Sequence, residues 1–279
     1  MTTLDNSKPS WGSSYRLLAA EKWKEKSAAM GRDVTEALVN YARPALGMKV
    51  LDLASGTGEP AITLAARVGP QGHVTASDLS AELLEIAAER AKQQKLSNLL
   101  TRQADAQQLP FAEASFDLLT CRFGVMFFPD GVKALREAHR VLKPGRRACF
   151  LAWGPFEQPY FATMLGIVHK YAGGPRTAPY QDPCRYAQPG SLSAVLQQAG
   201  FQEIDEQTRT LPWTWPGGAE EVWEQVQAVA TPFLPMIKSV PAEKWDEMNR
   251  EVLRSVRNYA DGDSIKFGAV VVLASGVKT

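Results

Sequence analysis

Residues 50–60 decide the fold of this chain, and they read Val50-Leu51-Asp52-Leu53-Ala54-Ser55-Gly56-Thr57-Gly58-Glu59-Pro60. The apolar start predicts a buried strand, and the two closely spaced glycines predict a sharp turn into a helix. Gly56 and Gly58 can adopt positive φ and have no Cβ to hold a ligand away, while Pro60 suits the first turn of a helix. The stretch therefore predicts a bare backbone turn against which a nucleotide-like ligand can lie.

Outward from this turn, residues 46 to about 152 alternate between strand-like and helix-like segments. The predicted strands are Lys49–Leu53, His73–Ser77, Leu99–Gln103, Phe116–Cys121 and Ala148–Ala152. The predicted helices, with apolar residues at helical spacing and with Ser80 as N-cap of the second, are Ala61–Val68, Ala81–Gln94 and Val132–Leu142. Such alternation predicts right-handed βαβ units, so we expect a doubly wound α/β fold with a parallel sheet covered on both faces.

Further elements flank this alternation. One or two amphipathic helices are expected within residues 10–43, and a helix over Ser191–Ala199 precedes a strand from Phe201 to about Thr210. A helical stretch from Glu220 to about Asn258 precedes a last strand, Lys266–Ala274. The predicted organisation is a helical lid (1–45), an α/β core (46–153), a cap insertion (154–190), more core (191–211), a helical cap insertion (212–262) and a final core strand (263–279).

Composition excludes several classes of protein. The chain has 279 residues, 45% of them hydrophobic, and its formal charge of +1 lacks the basic excess typical of nucleic-acid binding. The N-terminus has no basic segment followed by an apolar one, and no apolar run approaches the ~20 residues that span a bilayer. Three widely spaced cysteines predict neither a disulfide framework nor a metal site. We expect a cytoplasmic protein without membrane insertion, metal or nucleic-acid partner, and of undetermined oligomeric state.

The glycine turn alone leaves the ligand open. Gly56-x-Gly58-x-x-Ala61 fits the dinucleotide fingerprint, and Asp78 closes the second predicted strand 20 residues after Gly58, where a ribose-binding carboxylate is expected. A carboxylate at that place can accept hydrogen bonds from the ribose of any adenosine cofactor. An NAD-dependent oxidoreductase and a tight turn followed by a helix cap are both compatible with these residues.

Three further motifs follow in order along the chain. Asp105-Ala106 comes after the third strand, where a carboxylate could accept a hydrogen bond from an adenine amine. Arg122-Phe123-Gly124 ends the fourth strand, and the run Arg140-Val141-Leu142-Lys143-Pro144-Gly145-Arg146-Arg147 precedes the fifth. With this ordered set, residues 30–152 resemble the class I S-adenosylmethionine (SAM)-dependent methyltransferases, particularly the ubiquinone/menaquinone biosynthesis C-methyltransferase branch. Residues 190–210 and 264–275 resemble it more loosely.

This resemblance implies a seven-stranded Rossmann-like sheet with an antiparallel last strand, and SAM as cofactor, released as S-adenosylhomocysteine. It places the amino-acid end of the cofactor on the glycine turn, the ribose at the end of strand two, and the adenine beside strand three. Residues after strand four would line the methyl-transfer cleft. The implied cofactor-binding residues are Ala54, Ser55, Gly56, Gly58, Asp78, Leu79, Asp105, Ala106, Arg122 and Phe123.

The acceptor side departs from the family pattern. Quinone-precursor enzymes typically read Phe-Gly-Leu-Arg-Asn-Val after strand four, whereas this chain reads Phe123-Gly124-Val125-Met126-Phe127-Phe128. A polar grip on a quinol head group is therefore not expected at this place. The Asp/Asn-Pro-Pro-Tyr motif of enzymes that methylate planar amines is also missing from this position.

The remaining site residues are predicted from the flanking segments. His169 is the candidate general base, because it follows the fifth strand in a segment that builds acceptor pockets in the family. The aromatic content of the caps predicts an apolar or aromatic small-molecule acceptor. The candidate acceptor-binding residues are Tyr15, Trp23, Tyr160, Arg185, Tyr186 and Trp213.

The sequence thus favours an enzyme that moves a methyl group from SAM to the O, C or N of a small acceptor by in-line displacement. An NAD-binding oxidoreductase and a non-catalytic SAM-binding protein are the alternatives.

Overall fold

A sheet with seven strands on its main path forms the centre of the molecule, in the order β3-β2-β1-β4-β5-β8-β6, and a two-residue strand, β7, pairs with β8. A computed structural model describes residues 22–177 and 181–279. The strands are β1 (Lys49–Leu53), β2 (His73–Asp78), β3 (Leu99–Gln103), β4 (Phe116–Arg122), β5 (Leu142–Trp153), β6 (Gln202–Trp215), β7 (Ala260–Asp261) and β8 (Ser264–Val277).

Helices connect these strands. The α-helices are α1 (Lys24–Met30), α2 (Arg32–Ala42), α3 (Ala61–Val68), α4 (Ala81–Gln93), α5 (Gly131–Val141), α6 (Pro159–Phe161), α7 (Ile167–Ala172), α8 (Ser191–Gln198), α9 (Ala219–Val229), α10 (Leu234–Lys238) and α11 (Trp245–Arg257). A π-helical turn, Ala162–Gly166, joins α6 to α7, and 3₁₀ turns cover Val125–Phe127, Thr231–Phe233 and Ala242–Lys244.

The doubly wound α/β fold is confirmed. Strands β1 to β5 pair in parallel, and β8 lies antiparallel between β5 and β6. The strand order reverses between β1 and β4, which is the point where ligands bind in open α/β sheets. The predicted bounds of β1 and β3 match the structure, and Ser80 caps α4 by accepting a hydrogen bond from the backbone N–H of Leu83 at 3.2 Å.

Two hydrophobic cores cover the two faces of the sheet. Successive residues along a strand point to opposite faces, and in β5 Cys149 and Leu151 belong to one core, while Phe150 belongs to the other. The first core packs against α2, α3 and the cap helices, and the second against α5 and α8. Burial on both faces explains why β1, after the exposed Lys49, reads as an apolar run interrupted only by Asp52.

Strand β5 begins six residues earlier than predicted. The Pro144-Gly145 pair reads as a turn, but the chain stays extended and bulges, because Phe116 pairs with Leu142 while Leu118 pairs with Arg147. Gly145 takes a φ of 71° in this bulge and donates a backbone hydrogen bond to Lys278 O at 2.6 Å. The bulge therefore accommodates turn residues within a paired strand.

Strands β6 and β8 form a longer antiparallel ribbon than the sequence predicts. Pairing continues from Gln202↔Val277 to Trp215↔Ile265, past the predicted end of β6 near Thr210. The residues that were expected to open the second cap, Trp213 and Trp215, are strand residues. The ribbon thus carries aromatic side chains from the sheet edge towards the cap helices.

The predicted helical stretch from Glu220 to about Asn258 is a series of short helices. It divides near Pro232, Pro235 and Pro241, because a proline within a helix removes a backbone donor and clashes with the preceding turn. Within residues 22–177 and 181–279, no helix is long and apolar enough to cross a bilayer.

The backbone segments that follow β1 and β4 approach each other closely, and a mutation at this contact tests the packing. A Cβ on Gly124 would lie 2.4 Å from the Cβ of Ala54 and 2.9 Å from Cys121 Sγ. We expect Gly124→Ala to lower the free energy of unfolding by about 1–3 kcal/mol, because neither backbone can retreat without disturbing its strand. Urea denaturation followed by circular dichroism measures the loss.

Gly166→Ala is the matched control. Gly166 is helical (φ −64°), and an added Cβ would have no neighbour closer than 3.8 Å. Its replacement should leave stability unchanged or raise it by about 0.5–1 kcal/mol. Equal losses in the two variants would contradict the close approach at Gly124.

Candidate functional site

The glycine turn after β1 is held by a compact set of hydrogen bonds. The backbone N–H of Ser55 donates to Ser77 O at 2.9 Å, and that of Gly58 donates to Ser55 O at 2.9 Å. The Ser55 hydroxyl donates to Asp52 O at 2.9 Å. Ala54 takes a positive φ of 53°, which is uncommon for alanine, so the hydrogen bonds around it hold a strained conformation.

The two glycines serve different purposes. Gly56 has a φ of 53°, and the space that its Cβ would occupy is open to a distance of 4 Å, so the bare backbone faces the cleft. Gly58 has a φ of 111° and is buried, and a Cβ there would lie 2.7 Å from Ile62 Cδ1. Gly56 therefore presents the backbone to a ligand, while Gly58 lets the turn pack on α3.

Asp78 joins the turn to the end of β2. Its Oδ2 accepts a hydrogen bond from the backbone N–H of Gly56 at 2.9 Å, and its Oδ1 accepts one from Ser80 N at 3.0 Å. The side chain is half-buried at the rim of the cleft. Leu79 beside it remains 48% exposed, an unusual exposure for leucine, and provides an apolar surface at the same rim.

Asp105 lies at the neighbouring strand end. Its Oδ1 accepts a hydrogen bond from Gln107 N at 2.9 Å, and Gln103 fixes the adjacent loop by donating to Leu79 O at 2.8 Å. Ala106 is buried beside it and also faces the cleft. The turn, Asp78 and Asp105 therefore lie along one edge of the sheet, as the sequence predicts for strand ends.

A cavity of about 810 Å³ opens at this edge. Its first part, which we call the turn half, is lined by Ala54, Ser55, Gly56, Thr57, Glu59, Asp78, Leu79, Ser80, Arg90, Asp105 and Ala106. Its second part, which we call the aromatic half, is lined by Phe123, Trp153, Tyr160, Phe161, Met164, Leu165, Trp213, Gln225, Val226, Val229, Ala230 and Phe233. Polar backbone and carboxylates thus share one cavity with an aromatic wall.

Stacked rings build the wall of the aromatic half. Phe123 stacks on Trp153 with a centroid distance of 4.0 Å, and Trp213 meets Trp153 edge-on at 5.2 Å. Tyr160 packs within 5.8 Å of Trp153 and 5.6 Å of Trp213. Burial raises the pKa of the Tyr160 phenol to about 12, so its hydroxyl stays protonated near neutral pH.

Two arginines brace the cavity walls. Arg122 donates to Thr35 Oγ1 at 2.6 Å and so attaches α2 to the end of β4. Arg90 donates to Thr57 O at 2.6 Å and lies 3.9 Å from the Glu59 carboxylate. Both guanidinium groups thereby fix backbone segments that line the cavity.

Asp52, three residues before Ser55 and outside the cavity lining, has a raised pKa. It is completely buried between Ser55 and β4, and its Oδ1 accepts a hydrogen bond from the Thr120 hydroxyl at 2.6 Å. Its Oδ2 has no partner among the described residues. Burial raises the pKa of Asp52 to about 7, although the hydrogen bonds from Thr120 and Ser55 oppose the rise.

The structure brings together Ala54, Ser55, Gly56, Asp78, Leu79, Asp105, Ala106, Arg122, Phe123, Tyr160 and Trp213 as cavity lining, all predicted from the sequence. It places Gly58, which packs on α3 as described above, and three candidate acceptor-binding residues outside this lining. Trp23 is a core residue that packs edge-on against Trp215 at 5.5 Å, and Tyr186 is buried beside Gly131 in the second core. Arg185 is exposed, and its guanidinium donates a hydrogen bond to Phe128 O at 2.9 Å, in a loop that lines the cavity. Tyr15 lies outside the described residues.

The candidate base His169 also lies away from the cavity lining. Its Nε2 is 3.0 Å from Gly174 O, near the end of α7, while the neighbouring Val168 faces the core. Helical periodicity turns the two side chains in different directions, so the segment reaches the cavity through Met164 and Leu165 instead.

Several lining residues were not predicted from the sequence. Glu59 and Arg90 border the turn half, and Gln225 and Phe233 border the aromatic half. Asp52, which is buried outside the cavity lining, had a recognisable signal, a charged residue inside an apolar strand. Gln225 had none, because one polar residue on an amphipathic helix is ordinary.

A sheet of this strand order, with one antiparallel strand and a glycine turn at the reversal point, defines a SAM-dependent methyltransferase architecture. The sequence profile of the ubiE/COQ5 methyltransferase family matches residues 22–171, more than half of the chain. The chain belongs to this family and is a SAM-dependent methyltransferase, which decides against the NAD-dependent alternative.

Named relatives agree with this membership. The chain is 34% identical to the ubiquinone/menaquinone biosynthesis C-methyltransferase UbiE of Rhizobium etli, over 64% of this chain and 74% of the relative. It is 32% identical to a demethylmenaquinone methyltransferase of Listeria monocytogenes, over 57% of this chain and 71% of the relative.

Solved structures show the same fold. The Bacillus subtilis YcgJ protein superposes with a TM-score of 0.55 at 21% identity, over 88% of this chain and 97% of that one. A SAM-dependent methyltransferase from Aquifex aeolicus gives a TM-score of 0.51 at 20% identity, over 68% of this chain and 90% of that one.

The raised pKa of Asp52 makes the stability of the protein depend on pH. Between the unfolded pKa of about 3.9 and the folded value of about 7, the unfolded chain releases a proton that the folded chain retains. The contribution of Asp52 to the free energy of unfolding therefore falls as pH rises from about 4 to about 7. Asp52→Asn lacks this proton and should lack this fall.

Urea unfolding at pH 5 and at pH 7 measures the effect. The stability of the native chain relative to Asp52→Asn should decrease by about 1 kcal/mol or more between the two pH values. Parallel pH profiles would show that Asp52 titrates normally in the folded protein.

Proposed function

We propose that the turn half binds SAM and the aromatic half binds a quinone-type aromatic acceptor in its reduced form. The single observation that carries this proposal is the continuity of the two halves in one cavity at the strand-reversal edge. The names of the relatives, which act in ubiquinone and menaquinone biosynthesis, supply the acceptor class.

The residues of the turn half fit a SAM-sized ligand. The open side of Gly56 and the strained Ala54 leave backbone accessible for the amino-acid end, and Asp78 provides a carboxylate for ribose hydroxyls. Leu79 provides an apolar surface for the adenine, and Asp105 provides an acceptor for its amine. These roles extend to Ser55 and Ala106, which line the same half, and to Arg122 and Phe123 at its boundary.

SAM, when bound, supplies a methyl group that its sulfonium has already activated. The protein then has to align the acceptor and exclude water, and proximity with orientation can lower the barrier by about 7–11 kcal/mol. The aromatic half suits this task, because its lining has no carboxylate, lysine or imidazole and its one ionisable group, Tyr160, stays protonated. The acceptor side thus supports positioning rather than proton transfer.

We also infer that the flanking segments act as covers over an α/β core, with the boundaries predicted above except that β6 extends the core to Trp215. Lys26 of α1 pairs with Glu221 of α9 at 2.5 Å, and Lys22 pairs with Glu224 of the same helix. These ion pairs join the N-terminal helical segment to the second cap. Closure of both covers would shield the transfer from water.

Asp78→Asn tests the cofactor assignment. The substitution keeps an oxygen that can accept from Gly56 N but removes the charge, and a charge-assisted hydrogen bond contributes about 1.5–3 kcal/mol. Calorimetric titration with S-adenosylhomocysteine should show binding to the native chain and a Kd raised tenfold or more in the variant.

Asp246→Asn is the control for this titration, because Asp246 is exposed on the first turn of α11, away from the cavity. It should bind like the native chain. Failure of the native chain to bind S-adenosylhomocysteine would overturn the cofactor assignment.

A methyl-transfer screen with labelled SAM tests the acceptor class. Reduced benzoquinones and naphthoquinones kept under argon should become labelled, whereas fatty acids and aliphatic amines should not. Mass spectrometry of the product locates the new methyl group on carbon or oxygen. Labelling confined to the aliphatic compounds would refute the aromatic acceptor.

A further inference from the structure

Arg122, at the end of β4, places a positive charge at the boundary between the two halves of the cavity. Its side chain is partly exposed, and the surface that it exposes lines the cavity. Nη1 donates a hydrogen bond to Thr35 Oγ1 at 2.6 Å and a weaker one to Gly31 O at 3.5 Å. The N–H groups on Nε and Nη2 have no partner among the described residues, and neither nitrogen is among the buried atoms without partners. They are therefore open to a group that enters the cavity.

The charge of Arg122 has no close counterion in the described part of the chain. No carboxylate there forms an ion pair with it, whereas the other arginine of the described lining, Arg90, lies 3.9 Å from the Glu59 carboxylate. Burial lowers the pKa of the Arg122 guanidinium, and the carboxylates of Glu59 and Asp52 oppose this fall from a distance. An enclosed cation without a partner is costly, so Arg122 would stabilise an anion bound in the cavity.

The guanidinium lies beside the aromatic half. A Cβ added to Gly31 would be 3.1 Å from Arg122 Nη1 and 3.9 Å from Trp213 Cζ3, so both groups meet at this glycine. The guanidinium carbon is 6.0 Å from the centre of the Phe123 ring, which stacks on Trp153. An acceptor that lies against this wall can thus bring an oxygen to Nε or Nη2.

The aromatic half offers no group that takes a proton from an acceptor. Its described lining contains no carboxylate, lysine or imidazole, and its phenol, Tyr160, stays protonated. A phenolic hydroxyl becomes a strong nucleophile only after it has lost its proton. A cation at close range lowers the pKa of an acid by about 1–3, because it stabilises the charged form. Arg122 can therefore favour an ionised acceptor without a base.

We propose that Arg122 is a catalytic residue that holds the hydroxyl oxygen of the acceptor as an oxyanion, in place of a general base. This rests on the proposed function and deepens it, because it assigns the ionisation state of the acceptor and the residue that sets it. The guanidinium itself keeps its charge throughout the pH range in which phenols ionise.

The proposed step balances in protons and electrons. The acceptor gives its hydroxyl proton to solvent as it binds, and its electron pair then forms the bond to the methyl carbon. The pair of the broken carbon–sulfur bond stays on sulfur. Where a ring carbon takes the methyl group, that carbon then loses its hydrogen as a proton to water, which restores the oxyanion.

Spectrophotometric titration of bound 4-nitrophenol tests this assignment, because the phenol and its phenolate differ in absorption. The protein is first saturated with S-adenosylhomocysteine, which fills the donor site and carries no sulfonium charge. We expect the native chain to lower the pKa of the probe by about 1 or more, which is a tenfold increase in its acid dissociation constant. Arg122→Met should abolish this change, and Arg122→Lys, which keeps the charge, should retain part of it.

Arg102→Met is the matched control, because Arg102 is an exposed arginine of β3 outside the cavity lining. It should lower the pKa of the probe as the native chain does. The pKa of Asp52 is about 7, within the range of the titration, so Asp52→Asn is measured as well. It should keep the effect, because it removes a negative charge near Arg122. Binding of 4-nitroanisole, which cannot ionise, should be equal in the native chain and in Arg122→Met.

The carboxylate of the donor is the alternative partner of Arg122, and a second pair of ligands distinguishes it. S-adenosylhomocysteine carries this carboxylate, whereas 5′-methylthioadenosine lacks the amino-acid end. If Arg122 serves the acceptor, Arg122→Met should bind both ligands as the native chain does. Selective loss of S-adenosylhomocysteine binding in this variant would assign Arg122 to the donor and overturn the proposal.

Measurements on the native chain are decisive on their own. An unchanged pKa of bound nitrophenol, or no binding of nitrophenol while S-adenosylhomocysteine binds, overturns the proposal. A lowered pKa that persists in Arg122→Met also overturns it, because another group is then responsible. Failure of the native chain to bind S-adenosylhomocysteine would instead refute the proposed function itself.

Discussion

The hydrogen bond from Gly56 N to the carboxylate of Asp78 is the contact on which the site depends. It joins the turn after β1 to the end of β2 at 2.9 Å, next to the point between β1 and β4 where the strand order reverses. The turn can keep the strained backbone of Ala54 only because bonds of this kind fix it on several sides. The same contact leaves the carboxylate at the rim of the cavity, so one interaction both shapes the turn and places a charge beside it.

Close packing at the opposite wall completes this arrangement. Gly124, after β4, approaches Ala54, after β1, so closely that no side chain fits between the two backbone segments. Phe123, directly before it, takes a positive φ of 57° and turns its ring onto Trp153. The turn half and the aromatic half therefore meet at one pair of residues, which sets how far apart a donor and an acceptor can lie.

Sequence predicted the elements that depend on local pattern and missed those that depend on packing. Strands β1 and β3 have the expected bounds because apolar runs and turn residues delimit them. Strand β5 was predicted too short, since pairing of Leu142 with Phe116 and the hydrogen bond from Gly145 N to Lys278 O override the turn signal of Pro144-Gly145. Tyr160 and Tyr186 look alike as cap aromatics, yet only Tyr160 lines the cavity, because the direction of each ring is set by distant neighbours.

The division of the cavity also explains what family membership can and cannot specify. Most residues of the turn half lie within the matched segment 22–171, and they serve a cofactor that all members share. Trp213, Gln225 and Phe233 lie beyond that segment, on a ribbon and helices that close the cavity from the other side. The matched segment therefore contains the whole turn half and part of the aromatic half, whereas the ribbon and helices beyond it supply the rest of the aromatic wall. Charged groups concentrate in the turn half and neutral polar groups in the aromatic half, a distribution that suits the cationic donor and the flat apolar acceptor proposed for them.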